Sequence, residues 1–264
     1  MNAVRLQPRS TIALALASTV GVVAFGWPLL ASPDSGLAHS GDAPLLFAAL
    51  LPLLLAIVLA EVADGGLDAK AIAMLGVLAS VGAALRPLGG GVTGFSPVFL
   101  LIVLGGRALG RGFGFVLGAV TLFASALVTG GVGPWLPFKM LGAAWVGLLA
   151  GCLPPASGRR EVWLVAVYGA FAGLAYGFLL DLWFWPFTTG LSSSISYVAG
   201  DPISENLHRF LVFCLTTSLG FDIPRAVGNF VLLLAVGGPV LRALRRAARR
   251  AAFDVPVEFE PVAS

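Results

Sequence analysis

Arg86, Lys139, Asp181, Asp222 and Arg225 stand at the edges of long apolar runs. Charge beside lipid is expensive and tends to be kept where it binds something. Aromatic residues accompany these charges. Trp135 and Phe138 flank Lys139, and Trp183, Phe184 and Trp185 follow Asp181. Tyr197, Asp201, Asn206, His208 and Arg209 come next along the chain. Cations, carboxylates and flat rings together suit an organic ligand with an apolar body and a polar rim. Ordinary roles compete with that one. The tryptophans fit an interfacial aromatic belt, and the long basic side chains can snorkel to headgroups. Asp222 reads as the N-cap of the apolar run behind it, with Pro224 in the first turn. Arg225 lies three residues on, close enough to pair with Asp222 on one helix face. Asn229 sits a turn deeper and needs a polar partner there. The expected ligand-binding set is Arg86, Trp135, Phe138, Lys139, Asp181, Trp185, His208, Asp222, Arg225 and Asn229.

Other chemistries find no support. HExxH, GxxxxGK[ST] and GxSxG do not occur, so neither a metalloprotease, a P-loop ATPase nor a nucleophile elbow is encoded. Residues 112–138, 140–158, 162–180 and 226–241 carry no Asp, Glu, Lys or Arg, which argues against a proton relay through the apolar runs. The chain has only two histidines, His39 and His208, and no metal site or cofactor is expected. Cys152 and Cys214 lie in separate apolar contexts and read as small buried hydrophobes. Nothing points to a nucleic-acid partner.

The elements that must position these residues are membrane helices. Hydrophobic residues make up 58% of the chain and charged residues 11%, against about a quarter charged in soluble domains. Mean hydropathy is +0.95. The chain reads as an all-α integral membrane protein with about eight spans: 11–31, 44–62, 68–86, 92–107, 112–129, 137–152, 162–182 and 223–242. Arg5 and Arg9 precede the first run, as in a signal peptide, but its length suits a full span better. With the N-terminus inside, twelve of the sixteen Lys and Arg fall on the inner side, including Lys70, Arg107, Arg111 and the Arg242–Arg250 cluster. Both termini are therefore expected to be cytoplasmic. Arg86, Lys139, Arg209 and Arg225 remain outside. The apolar stretch 209–221 is short, and a span there would put the arginine-rich tail outside. It reads as a re-entrant or surface-lying element within a long outer loop, 183–222.

Small residues complete the pattern. Ala69, Ala73, Gly76, Ser80 and Ala83 are spaced three or four apart along the third run. Gly142, Ala143, Gly147, Ala150 and Gly151 crowd the sixth. Such stripes let helices approach closely in lipid.

These features together resemble the substrate-specific S component of energy-coupling factor (ECF) vitamin transporters. The resemblance covers about 68–250 and rests on RPLGGGVTGFSPVF, GGRALGRGFGFVLGAV, GGVGPWLPFKMLGAAWVGLLAG and FDIPRAVGNFVLLLAVGGPVLRALRR. It implies a six-helix core over 68–243, preceded by two additional helices within 1–67 and followed by a basic-then-acidic tail, 244–264. It implies vitamin capture from the outer side of a bacterial cytoplasmic membrane. A transmembrane T component and two ABC ATPases would supply coupling. An AxxxA stripe would dock the T component, and Ala69 and Ala73 match it, as do Ala79 and Ala83; the first pair is preferred for its place beside Lys70. The pattern is most similar to S components assigned to cobalamin or related corrinoids. A solitary secondary carrier for an organic solute and a structural membrane protein are the competing readings.

Overall fold

The computed structural model describes residues 8–30, 69–89, 94–188 and 192–251. Among these residues the chain is helical: α1 (Pro8–Leu30), α2 (Ala69–Leu85), α3 (Val98–Leu109), α4 (Arg111–Thr129), α5 (Leu136–Cys152), α6 (Gly158–Phe184), α7 (Ile203–Phe213) and α8 (Leu219–Ala251). The expected second span, 44–62, lies outside the described residues. Four described helices, or helices merged with the turns after or before them, are long and apolar enough to cross a membrane: Ala69–Gly89, Arg111–Thr129, Gly158–Phe187 and Ile203–Arg250. Leu14–Leu29, Val98–Leu109 and Leu136–Cys152 are apolar but shorter.

Short connections force neighbouring helices to run antiparallel. Gly110 alone separates α3 from α4, at φ 104°, a backbone region that favours glycine. Its N–H closes α3 on the Gly106 carbonyl, and its own carbonyl receives the Gly114 N–H at 3.0 Å. Antiparallel alternation collects one end of each helix at an aromatic end, with Arg86, Trp135, Lys139 and Asp181. The other ends gather at an arginine end, with Arg107, Arg111 and Arg245.

The GGRALGRGFGFVLGAV motif explains the centre of the bundle. Gly106 of α3, Gly114 and Gly118 of α4, and Gly147 of α5 meet backbone to backbone. A Cβ on Gly147 would overlap the Gly114 carbonyl, and one on Gly118 would overlap the Ala143 carbonyl. With no side chains between them, α3, α4 and α5 approach as glycine-bearing membrane helices do. A second seam joins α6 to α8. Gly169, Gly173 and Gly177 receive Asn229, Ala226 and the Asp222–Arg225 pair in turn.

Glu161 fastens the arginine end. It is 3% exposed. It accepts from Arg107 Nε at 2.7 Å, Arg245 Nη1 at 2.8 Å and Arg245 Nη2 at 2.5 Å. Arg107 Nη1 also donates to the carbonyl of Leu153, the C-cap of α5, at 2.8 Å. One carboxylate thereby ties α3, α6 and α8 together, and the Arg107 it holds satisfies a carbonyl at the end of α5.

Several expectations need correction. The 209–221 stretch is helical and not part of an open loop. α7 runs through a π-helical turn, Cys214–Ser218, directly into α8. The irregular connection is shorter than 183–222, because α6 reaches Phe184 and a 3-10 turn spans Trp185–Phe187. Asp222 is consequently no N-cap; it lies within α8, as does Pro224. α8 also continues through the first part of the expected tail, to Ala251. Cys152 is exposed rather than buried, at the end of α5.

Candidate functional site

Two neighbouring cavities open at the aromatic end. The deeper, about 150 Å³, is lined by Arg86, Ser96, Val98, Phe99, Leu122, Lys139, Tyr176, Leu180 and Arg225. The outer, about 260 Å³, is lined by Trp135, Lys139, Leu180, Asp181, Trp183 and Phe184. Lys139 and Leu180 belong to both.

Each side chain has a clear structural reason for its position. Arg86 follows the last turn of α2 and donates to Ser125 of α4 at 3.0 Å. Lys139 is in the first turn of α5, which begins with Pro137 near its N-terminus, a position that needs no N–H. Its ammonium sits 5.9 Å from the Trp135 ring centroid, and the Trp135 indole is pinned by a 3.0 Å bond to the Gly131 carbonyl. Arg225 projects from α8 across the glycine seam. It pairs with Asp222 at 2.6 Å, reaches the Gly173 carbonyl at 3.2 Å, and lies 5.7 Å from the Tyr176 ring centroid. Gly177 leaves the room for this pair, since a Cβ there would overlap both side chains. Tyr176 stands edge-on to Phe99 at 4.8 Å and gives the deep cavity an aromatic wall.

The charges are unevenly matched. Asp222 is committed to Arg225. Asp181 receives a hydrogen bond from Ser218, while its Oδ2 is buried with no partner among the described residues. Arg86 and Lys139 have no carboxylate within salt-bridge distance among the described residues. The deep cavity therefore carries an excess of positive charge in a largely apolar surround.

The structure brings together Arg86, Lys139 and Arg225, with Trp135 and Asp181 at the outer cavity. Other expected residues stand elsewhere. Phe138 is 1% exposed and lies behind the wall, between Phe25 of α1 at 5.0 Å and Trp183 at 4.9 Å. Trp183, not Trp185, faces the cavity. The 3-10 turn swings Trp185 inward, where its Nε1 donates to the Ile195 carbonyl at 2.6 Å and its ring packs on Phe210. His208 is exposed, because α7 turns Asn206, Phe210 and Phe213 inward. Asn229 is buried and donates to the Gly169 carbonyl at 3.2 Å, within the α6–α8 seam rather than in the cavity.

The connection between α6 and α7 is fastened by polar contacts. Asn206 donates to the Val198 carbonyl at 2.7 Å and accepts the Val198 N–H at 3.2 Å. Arg209 pairs with Asp201 at 2.6 Å. Burial pushes the Tyr197 hydroxyl above its ordinary titration range. Trp27 of α1 meets Phe187 at 5.9 Å and Tyr197 at 6.0 Å, so the first helix braces this connection.

Sequence reasoning missed Tyr176, Phe99 and Ser125. It also missed the seat that positions Arg225. Gly169, Gly173 and Gly177 repeat every four residues, and the small-residue rule applied to the third and sixth runs would have found them. A larger cavity, about 490 Å³, opens at the arginine end beside Arg107, Arg245 and Arg249. It is bounded by helix ends and the 153–156 connection and has no aromatic wall.

An apolar bundle that holds its cations, carboxylates and rings around cavities at one end defines a class: a multi-pass membrane protein with a polar, ring-lined end. The comparison with protein families agrees. The model of the family described as ECF transporter, substrate-specific component, matches residues 70–237, and the chain belongs to that family. Membership carries the general role of substrate-binding subunit of an ECF transporter. No curated protein and no solved structure matches the chain.

Proposed function

We propose that the protein captures a vitamin or vitamin precursor at its aromatic end, from outside the cytoplasmic membrane, and passes it inward. In this reading the chain hydrolyses no ATP itself, and a T component and two ABC ATPases supply the coupling. The observation that carries the reading is the convergence of Arg86, Lys139 and Arg225 with Tyr176 and Phe99 on one cavity. The orientation rests on the arginine-rich end facing the cytoplasm.

The T component is assigned to the exposed face of α2. Ala69, Ala73, Gly76 and Ser80 are exposed along it. Ala79 and Ala83 are each 3% exposed and face the bundle, which favours the first AxxxA pair for docking. The corrinoid assignment rests on the overall resemblance. The two cavities, at about 150 and 260 Å³, fall below the roughly 300–1,000 Å³ of sites for drug-sized ligands. A corrinoid would need the mouth between Trp135 and Phe184 to open widely.

The test is affinity purification of the tagged protein from native membranes in mild detergent, followed by mass spectrometry. Co-purification of a small polytopic protein with two ABC ATPases supports the reading. Their reproducible absence around intact, folded protein would favour a solitary carrier or a structural role.

A further inference from the structure

We infer that the ligand is a compact organic anion whose acid group is held between Arg86 and Lys139 in the deep cavity, and whose opposite end donates a hydrogen bond to Asp181. This deepens the proposed function and rests on that reading of the site as a substrate pocket.

Charge balance leads to the acid group. Arg225 already has Asp222 at 2.6 Å, and its guanidinium is also held by the Gly173 carbonyl. Among the described residues, Arg86 has the neutral Ser125 hydroxyl and Lys139 the face of Trp135. Both line the 150 Å³ cavity with no carboxylate within salt-bridge distance among the described residues. Two like charges side by side in an apolar surround are costly unless an anion joins them. A neutral or cationic ligand would leave that cost in place.

Asp181 defines the other end. Its Oδ2 is buried without a partner among the described residues, and the residue lines the outer cavity. An ionised carboxylate oxygen only accepts, so it calls for an N–H or O–H donor. Trp135, Trp183 and Phe184 surround the space between, which suits a flat or aliphatic body. Since the cavities share Lys139, one molecule filling both would occupy roughly 400 Å³, the lower part of the range for small-molecule sites. Size thus selects a compact ligand, and charge selects an acid.

The experiment uses the full-length protein in detergent and three matched probe pairs: biotin and biotinamide, pantothenate and pantothenol, nicotinate and nicotinamide. Cyanocobalamin and thiamine are included. Thermal stabilisation finds binders and calorimetry gives Kd. The expected result is that at least one acid binds about 30-fold or more tighter than its neutral partner, the size of one or two charge-assisted hydrogen bonds. Lys139→Met and Arg86→Gln should each cut that preference to a few-fold. Arg86→Lys, which keeps the charge, should restore part of it and covers the case in which Arg86→Gln does not fold. The inference is overturned if no acid binds, if acids and neutral partners bind alike, or if cyanocobalamin or thiamine binds with an affinity indifferent to these substitutions. Acid preference without co-purifying ECF subunits would refute the transporter assignment and leave the ligand chemistry standing.

Discussion

Glu161→Gln removes one charge and keeps the side chain's shape. Its consequence can be worked from the geometry. The carboxylate receives three charge-assisted bonds, one from Arg107 and two from Arg245. Arg245 is 41% exposed at its side chain, so water takes over much of what it loses. Arg107 is 9% exposed and would keep only the Leu153 carbonyl. Breaking a fully buried pair by removing one partner costs about 3–5 kcal/mol. Discounting for the solvated Arg245 and for the amide oxygen that can still accept leaves about 2–3 kcal/mol. At about 2–4 °C per kcal/mol for a chain of this size, the melting temperature should fall by about 5–10 °C. The assay is thermal unfolding in detergent, followed by tryptophan fluorescence and by loss of the monodisperse chromatographic peak. A companion, Glu161→Gln with Arg107→Met, should recover more than half of the loss, because no buried cation is then left without its anion. A fall of less than about 1.5 °C in the single variant, the range of ordinary surface changes, would refute the view that Glu161 fastens this end.

Gly147→Leu should yield no folded monomer by size-exclusion chromatography, because the new side chain meets the Gly114 backbone. Gly76→Leu, where a Cβ meets nothing within 4 Å, should fold normally. Ala69→Trp and Ala73→Trp should leave the isolated chain folded and able to bind ligand while abolishing uptake, measured with the complete transporter; normal uptake in both would move the docking face elsewhere. Trp27→Ala should speed limited proteolysis within 192–202, because the α6–α7 connection loses its brace on α1. Arg225→Ala should weaken binding of an acidic ligand, because Asp222 is then left beside the cavity without its counter-charge, whereas Asn229→Ala should lower the melting temperature with little effect on affinity, since Asn229 serves the helix seam.

Much of this architecture is legible from local pattern. Apolar runs of membrane length located α1, α2, α4, α5 and α6 to within a few residues, while α3 starts later than expected, α7 lay in the expected loop and α8 runs well past 242; the glycines of the sixth run announced a close approach that the α4–α5 contact provides. Arg225 lies inside α8, but Arg86 and Lys139 were placed correctly at helix ends, where the apolar runs stop. Residues in the 183–222 stretch were not. Whether 209–221 continues into the next helix depends on the π-helical turn at Cys214–Ser218, which carries no glycine or other residue type that marks it. Once that continuity was missed, Asp222 looked like a cap. Similarly, Trp183 and Trp185 are indistinguishable by type. Only the 3-10 turn decides which faces the cavity and which is buried against Tyr197 and Phe210. Glu161 escaped notice because an acid just before an apolar run looks like an ordinary first-turn residue. Its arginine partners lie 54 and 84 residues away in the chain.

The contact in which Gly106, Gly114, Gly118 and Gly147 meet also sets where the molecule can give way. Backbone against backbone has no rotamers to readjust, so α3, α4 and α5 form a stiff keel. The flanking interfaces include deformable side chains at close approaches: Thr121 under Gly82 between α2 and α4, and Leu233 under Gly169 between α6 and α8. Lys139 rides on the keel, whereas Arg86 and Arg225 belong to its softer flanks. Admission of a ligand is therefore expected to displace Arg86 and Arg225 relative to a stationary Lys139. Spin labels on α4 and α5 should keep one spacing with and without ligand while a label pair on α5 and α8 changes; a moving α4–α5 distance would show that the keel is not rigid.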